Sequence, residues 1–378
     1  MIAPATTQLR KTALHSAHRR LGAKMVSFSG WDMPVEYPAG LVKEHLAVRT
    51  AVGVFDVSHM GDIRLRGPQA LAAVQHTSMN DAAKLAVSQA HYSALLYPEG
   101  TFVDDVIVHR LGENDYLLVI NAGTREKDVQ WVRENARGFD CKVEDAGDWY
   151  TQLAIQGPRA ADVLKKLTSA DLTALRNYWF TWGRVCGLED ILIARTGYTG
   201  EDGFEVYIPS DEATSERVWN DVLEAGKEFG ILPCGLGARN TLRLEAKMAL
   251  YGHEISETIS VLEAGLERYC KFEKGDFIGR AALEKQKAEG VKRTLVGLEM
   301  MERGIARDAY AVLDDSGAPI GNVTSGSYAP FLKKNIALAY VPPRFSERGT
   351  ALDVDIRGQK AKAQVVPTPF YKRPKRQA

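Results

Sequence analysis

Two short segments of this chain, Arg66-Gly67-Pro68 and Gln156-Gly157-Pro158, set the tightest bound on its fold. Each follows a strand-like apolar stretch and each opens an alanine-rich helix, Gln69–Gln75 in the first case and Arg159–Lys166 in the second. Proline in the first turn of a helix costs no backbone hydrogen bond, because the N–H it lacks has no partner there. The two glycines lie 90 positions apart (157 minus 67). We read the pair as a weak internal duplication of a strand–helix unit.

The remaining patterning fills in around these units. Val106–Leu111 and Tyr116–Ile120 flank Gly112-Glu113-Asn114-Asp115 and predict a hairpin, followed by a helix over Glu126–Glu134. Ile191–Arg195 and Phe204–Ile208 flank a second, glycine-rich turn from Thr196 to Gly203. Helices are expected over Leu9–Gly22, over Leu41–Val52 with Gly53 as its C-cap, over Thr214–Phe229 and over Ala238–Leu250; Val54–Leu65 reads as strand. After a loop at Lys271–Gly279, the polar helix Arg280–Glu289 ends at Gly290 and marks a domain boundary. Beyond it, Thr294–Met300, Ala311–Leu313, Gly321–Thr324, Ile336–Tyr340, Ala351–Ile356 and Lys360–Val366 are short strands between Gly, Pro and Asp turns. That spacing predicts a small all-β barrel or sandwich of about 85 residues. The basic cluster at Lys372, Arg373, Lys375 and Arg376 reads as a solvated end.

Composition narrows the function classes. At 378 residues the chain is long for one core, so two or three domains are expected. Lys+Arg and Asp+Glu balance at 48 each, so no global field recruits nucleic acid or an anionic membrane. No apolar run is long enough to span a bilayer, and Met1–Arg20 lacks the apolar core of a secretory signal, so the expected location is cytoplasmic. Cys141, Cys186, Cys234 and Cys270 are scattered without metal-ligand spacing, and no metal is expected. GxGxxG after a strand, GxxxxGK[ST], HExxH and GxSxG are all missing. Ser58 and His59 suggest a nucleophile and base, but neighbours on a strand point apart, and the structural reading is preferred.

What remains is a set of polar residues in apolar context. Asp104 and Asp105 interrupt the run Thr101–Arg110, Asn121 ends Leu117–Asn121, and Glu205 sits inside Phe204–Ile208. Alternation along a strand sends Asp104 and Asp105 to opposite faces, so covered faces cannot leave both in bulk water. A charge against an apolar wall is costly unless paired or needed by a site. Arg239 and Arg243 lie four apart on one helix face. One reading is an internal ion-pair network of Glu205 or Glu245 with Arg239 or Arg243. The other is a polar heterocycle site in which a carboxylate reads adjacent N–H donors and an arginine takes a carboxylate.

Gly22–Val26, Gly30–Pro34, Val54–Met60, Val103–Val106, Arg195–Glu205, Pro233–Arg239, Leu242–Ala246 and Thr324–Gly326, in this order, closely resemble the glycine cleavage T-protein family, tetrahydrofolate-dependent aminomethyltransferases. The likeness runs from about residue 8 to 372. It implies an α+β, three-lobed fold around a central folate channel: two mixed lobes with antiparallel sheets within residues 1–280 and a C-terminal β-barrel within 292–372. It implies transfer of a one-carbon unit from the aminomethyl group on the lipoyl arm of H-protein to tetrahydrofolate. Ammonia, 5,10-methylenetetrahydrofolate and dihydrolipoyl H-protein are the products. By motif position the resemblance makes Asp105 the catalytic acid/base, Glu205 the pterin-reading carboxylate and Arg239 a substrate-binding arginine. It makes Tyr371 a binding tyrosine near the outer end of the channel, with Met60, Tyr92, Asn121 and Tyr198 lining the pocket. Two positions depart from the family pattern: Thr101 replaces a glycine before the Asp104-Asp105 strand, and Asn240 replaces an aspartate after Arg239.

Two rivals share the fold. An iron–sulfur maintenance factor would carry a cysteine where this chain has Asp276 and a glutamine where it has Arg280, which argues against it. A folate-dependent demethylase of a small sulfonium or N-methyl substrate would keep the same pocket without a docking surface for a lipoyl protein.

Overall fold

The computed structural model describes residues 8–374; Lys375 and Arg376 of the basic cluster lie outside the described residues. Within it the duplicated unit recurs strand by strand. In the first half the sheet order is Gln89–Leu96, Phe102–Gly112, Asp115–Ile120, Gly61–Arg66, Lys142–Asp145. In the second it is Phe180–Val185, Leu188–Ala194, Gly203–Pro209, Tyr150–Gln156, then Gly53–Asp56 and Leu232–Pro233. The first four strands of each have the same order and the same antiparallel pairing. Only the edge pair Leu232–Pro233 with Gly53–Asp56 is parallel.

Gly67 and Gly157 are the local cause of this likeness. Both have positive φ (+141° and +129°), and a helix starts three residues later, at Ala70 and Ala160. Gly67 donates its N–H to Asn114 O at 3.1 Å, and Gly157 to Asp202 O at 2.8 Å; each acceptor immediately precedes the third strand of its half. A Cβ would lie 2.7 Å from Asp140 O at Gly67 and 2.6 Å from Ala51 O at Gly157, so only glycine closes either turn.

Each sheet buries one face under its helices. Ala70–Thr77 and Arg125–Asn135 cover the first through Ile63, Leu65, Val74, Leu118 and Val132. Ala160–Lys165 and Glu212–Gly226 cover the second, with Trp219 fully buried among Ile155, Val163 and Phe204. The opposite faces meet: His109 of the first sheet packs on Phe180 and Tyr207 of the second, ring centroids 5.5 and 6.2 Å away. The C-terminal strands close into a six-stranded barrel, ordered Thr294–Met300, Lys334–Val341, Pro319–Ala329, Ala311–Leu313, Ala351–Ile356, Gln359–Val366. Its own core is Leu298, Val312, Val323, Ala339 and Val354. Buried polar contacts tie it to the rest: Arg243 Nη2 donates to Ser325 Oγ, and Thr324 Oγ1 to Glu254 Oε1.

Four sequence expectations are corrected. Val54–Leu65 is two strands, Gly53–Asp56 in the second sheet and Gly61–Arg66 in the first. Asp56 Oδ1 accepts from Ser58 N and Ser58 Oγ, at 2.9 and 2.5 Å, and turns the chain from one sheet to the other. Gly53 is no C-cap: the helix is Leu41–Thr50, and Gly53 opens a strand where a Cβ would meet Cys234 Sγ and Val48 Cγ2 at 2.6 Å. The helix expected over Ala238–Leu250 runs Leu236–Glu245 and stops before Lys247, which is left-handed at φ +54°. The first helix spans only His15–Arg20, because Arg10 instead bonds Gly30 and Asp32 alongside Trp31.

Candidate functional site

The two facing sheets do not close on each other completely. Between them lies a cavity of about 270 Å³, lined by both halves, by the Leu236–Glu245 helix and by the loops at 246–249 and 266–269. The Phe102–Gly112 strand alternates as its sequence requires. Asp104 turns into the helix-covered face and is fully buried; Asp105 turns into the cavity. The Asn121 amide joins them, its Nδ2 donating to Asp104 Oδ1 and to Asp105 Oδ1, both at 2.8 Å. Asp104 Oδ2 also accepts from Asn121 N and Thr124 Oγ1, at 2.9 Å each.

This arrangement tunes Asp105. Burial, then the charge of Asp104 next to it, pushes its carboxyl up to about 7, against the favourable contacts of Asn121 and Tyr92. The Tyr92 hydroxyl is near enough to favour the charged form, but it lacks a well-directed hydrogen bond. Behind Asp104, burial and the charge of Asp104 push Asp128 up to about 10, so the inner carboxyl carries a proton at neutral pH.

Glu205, from the Gly203–Pro209 strand, faces the same cavity and accepts from Thr196 Oγ1. Burial raises its carboxyl, opposed by Thr196 and the charge of Arg239. Arg239 enters from the Leu236–Glu245 helix, its guanidinium 4.7 Å from the Tyr198 ring centroid, with Nη2 at 4.0 Å from Met60 Sδ. The Tyr198 hydroxyl is held by Ala249 O. The internal ion-pair network read from the sequence exists, but it uses other partners. Glu245 pairs with Arg49 at 2.9 Å and Arg243 with Glu254 at 2.7 Å, whereas Glu205 and Arg239 form no ion pair among the described residues.

Of the sequence candidates, Asp105, Glu205, Arg239, Asn121, Tyr92, Tyr198 and Met60 converge on this cavity. Tyr371 does not line it. Its ring lies under Arg49 at 4.0 Å and edge-on to Phe331 at 5.3 Å, and its N–H donates to Glu245 O at 2.8 Å. Ser58 and His59 are structural. The Ser58 hydroxyl is spent on Asp56, and His59 is fully buried beside Phe28, its ring pulled down to about 3 by burial and the charge of Arg239. Asn240 accepts from Arg243 Nε at 2.9 Å, and Thr101 bridges to Ser260. Among the described residues no three His, Cys, Asp or Glu side chains cluster to hold a metal ion.

Sequence reasoning missed Gln156, Tyr178, Lys247, Arg268 and Tyr269, which also line the cavity. Tyr178 comes from a turn and Arg268 and Tyr269 from a short 3-10 helix, Lys247 was expected inside a helix, and Gln156 was noticed only as part of a turn.

Comparison with known proteins bears on this site. Residues 14–274 match the family described as GCVT N-terminal domain, and residues 293–372 the family described as Glycine cleavage T-protein C-terminal barrel domain. The chain is similar to an aminomethyltransferase of Acidobacterium capsulatum, 69% identical over all of both chains. It is 46% identical to one of Bacillus subtilis, over 97% of this chain and 100% of that one. It also resembles the crystal structure of glycine cleavage system aminomethyltransferase T from Bartonella henselae, with TM-score 0.90 and 35% identity. That likeness covers 96% of this chain and 98% of that one.

Proposed function

Belonging to the glycine cleavage T-protein family, the chain is an aminomethyltransferase, and we propose that transfer takes place in the cavity between its two sheets, with Asp105 as catalytic acid/base. The proposed substrates are tetrahydrofolate and the aminomethyl group on the lipoyl arm of H-protein. One observation carries this reading: Glu205 and Arg239 stand in the same cavity as Asp105 and are not paired with each other, while Arg243 and Glu245 of the Arg239 helix are paired with Glu254 and Arg49. Buried ionisable groups kept without an ion-pair partner are costly unless a ligand completes them.

The residues fit a reduced pterin. The Glu205 carboxylate accepts adjacent N–H donors from a heterocycle edge, Tyr92 and Tyr198 supply flat apolar walls, and Arg239 supplies a cation. The bound folate supplies the nucleophilic nitrogen that takes up the one-carbon unit. Asp105 does the rest of the proton and charge work. Its ionised form stabilises positive charge at the one-carbon centre as the bond to sulfur breaks, and with its carboxyl near 7 it relays a proton from an attacking nitrogen; the two N–H protons that the folate gives up end on the lipoyl thiolate and the departing amine. Asn121 holds the carboxyl in place through its amide. No metal is part of the proposed reaction. Nucleic acid and membrane are not proposed partners, and the four unpaired cysteines accord with a reducing cytoplasm. Among the described residues no helix is long and apolar enough to cross a membrane.

The test is turnover of aminomethylated, lipoylated H-protein with tetrahydrofolate, compared with free N-methyl and sulfonium donors. The expected result is methylenetetrahydrofolate and ammonia from the H-protein substrate alone. Turnover of a free methyl donor without turnover of H-protein would overturn the reading in favour of a demethylase.

A further inference from the structure

Along the cavity wall, contacts run from Asp105 through Tyr92 and Tyr269 to Arg268 and Lys247. The acids are Asp105 and Glu205; the aromatic part is Tyr92 and Tyr269, their rings tilted at 58° with centroids 4.8 Å apart, and Tyr178, 38% exposed. The cations are Lys247, partly buried, and Arg268, exposed; both line the cavity. Among the described residues neither forms an ion pair. Acids nearby on the chain are engaged elsewhere: Glu267 with Lys287 at 2.6 Å, Glu263 with Arg293 at 3.1 Å, and Glu245 with Arg49 at 2.9 Å. The Arg268 guanidinium instead lies 4.5 Å from the Tyr269 ring centroid and donates to its hydroxyl at 2.5 Å.

The backbone adds an independent observation. Lys247 is left-handed, φ +54°, a conformation that side chains other than glycine, asparagine and aspartate rarely adopt. This strained backbone places a lysine in the wall just after the helix stops. Burial and the charge of Arg268 both disfavour the charged lysine, so the two cations repel one another. A ligand anion relieves that repulsion.

Resting on the proposed folate reading, we propose that Lys247 and Arg268 form a carboxylate-binding subsite for the anionic glutamyl tail of the folate co-substrate. The order of groups along the cavity matches such a ligand: a hydrogen-bonding heterocycle on Glu205, an aromatic linker between the tyrosines, and carboxylates on the two cations. Each added glutamyl residue carries one further carboxylate, so the subsite favours longer tails.

The experiment measures affinity of the full chain for tetrahydropteroate, which lacks the tail, and for mono- and triglutamyl tetrahydrofolate. Lys247→Met keeps the apolar stem, Lys247→Gly suits the left-handed backbone, and Arg268→Gln removes the second charge. The wild type is expected to prefer the triglutamyl form over tetrahydropteroate by about tenfold or more, as charge-assisted contacts allow, and less so as salt rises. Both Lys247 variants lose several-fold of that preference, and the Lys247→Gly/Arg268→Gln double variant loses most of it, while all bind tetrahydropteroate as the wild type does. An unchanged preference in the double variant would overturn the proposal. So would a change confined to the Michaelis constant for H-protein, which would assign the cations to an acidic protein surface. If tetrahydropteroate failed to bind the wild type, the folate reading of the cavity would fall, and the subsite with it.

Discussion

Replacing Asp105 by asparagine is expected to destroy activity and to stabilise the fold. The shape is nearly conserved, and Asn121 Nδ2 can still donate to an amide oxygen at position 105. What changes is the charge. The carboxyl of Asp105 rises from 3.8 to about 7 in the folded chain, so folding holds its proton more tightly than the unfolded chain does. A raised carboxyl of this kind contributes no penalty below about pH 4, and the penalty grows as pH rises to about 7, then levels off. At 1.36 kcal/mol per pH decade the full penalty is about 4 kcal/mol, and water in the cavity screens part of it, leaving roughly 2–4 kcal/mol. The assay is urea unfolding of wild type and Asp105→Asn at pH 5 and pH 9. The variant is expected to be more stable at pH 9, with an advantage under about 2 kcal/mol at pH 5. Turnover is expected to fall about 10²–10⁴-fold, the usual range for losing one acid/base or charge-stabilising group. Equal stability of the two proteins at both pH values would refute the account of Asp105 as a strained, desolvated carboxyl. Near-normal turnover by Asp105→Asn, with a folded but inactive Asp104→Asn, would show that the wrong aspartate was chosen.

Further outcomes follow from the same geometry. With Asp105 acting in its ionised form, kcat/KM is expected to climb as pH passes through about 7, and a profile flat from pH 5.5 to 8.5 would contradict that role. Glu205→Ala is expected to weaken tetrahydrofolate binding about tenfold or more by calorimetry; a folded variant with unchanged affinity would make Glu205 structural. Gly157→Ala forces a Cβ to within 2.6 Å of Ala51 O at φ +129° and is expected to cost about 3 kcal/mol or more in thermal unfolding, a small effect meaning that the turn can relax. Tyr371→Ala removes packing on Arg49 and Phe331 and is expected to cost about 1–3 kcal/mol of stability with folate affinity within about twofold; the reverse pattern would return Tyr371 to the binding site.

The sequence was most informative where local geometry dictates residue type. The two Gly-Pro turns could be read because positive-φ glycines and prolines just ahead of the helix N-caps leave a residue signature, and the alternation of Asp104 and Asp105 followed from strand geometry alone. It was less informative where the deciding partner is distant. Whether Glu205 and Arg239 pair with each other depends on which partner takes Glu245, and that partner is Arg49, 196 positions away. Gly53 looked like a helix cap because its packing against Cys234 is invisible locally. The split of Val54–Leu65 did have a signal, the Asp56–Ser58 turn, outweighed by the apolar residues around it. Lys247 and Arg268 had none, since a cation reads as solvated surface until the cavity beside it is seen.

A crystal structure of the chain with tetrahydrofolate bound tests the central claim most directly. The account predicts the pterin edge on the Glu205 carboxylate and the reacting nitrogens within hydrogen-bond distance of Asp105, between the two sheets. A folate bound elsewhere, or in the cavity with its heterocycle turned outward and its reacting nitrogens away from Asp105, would contradict it.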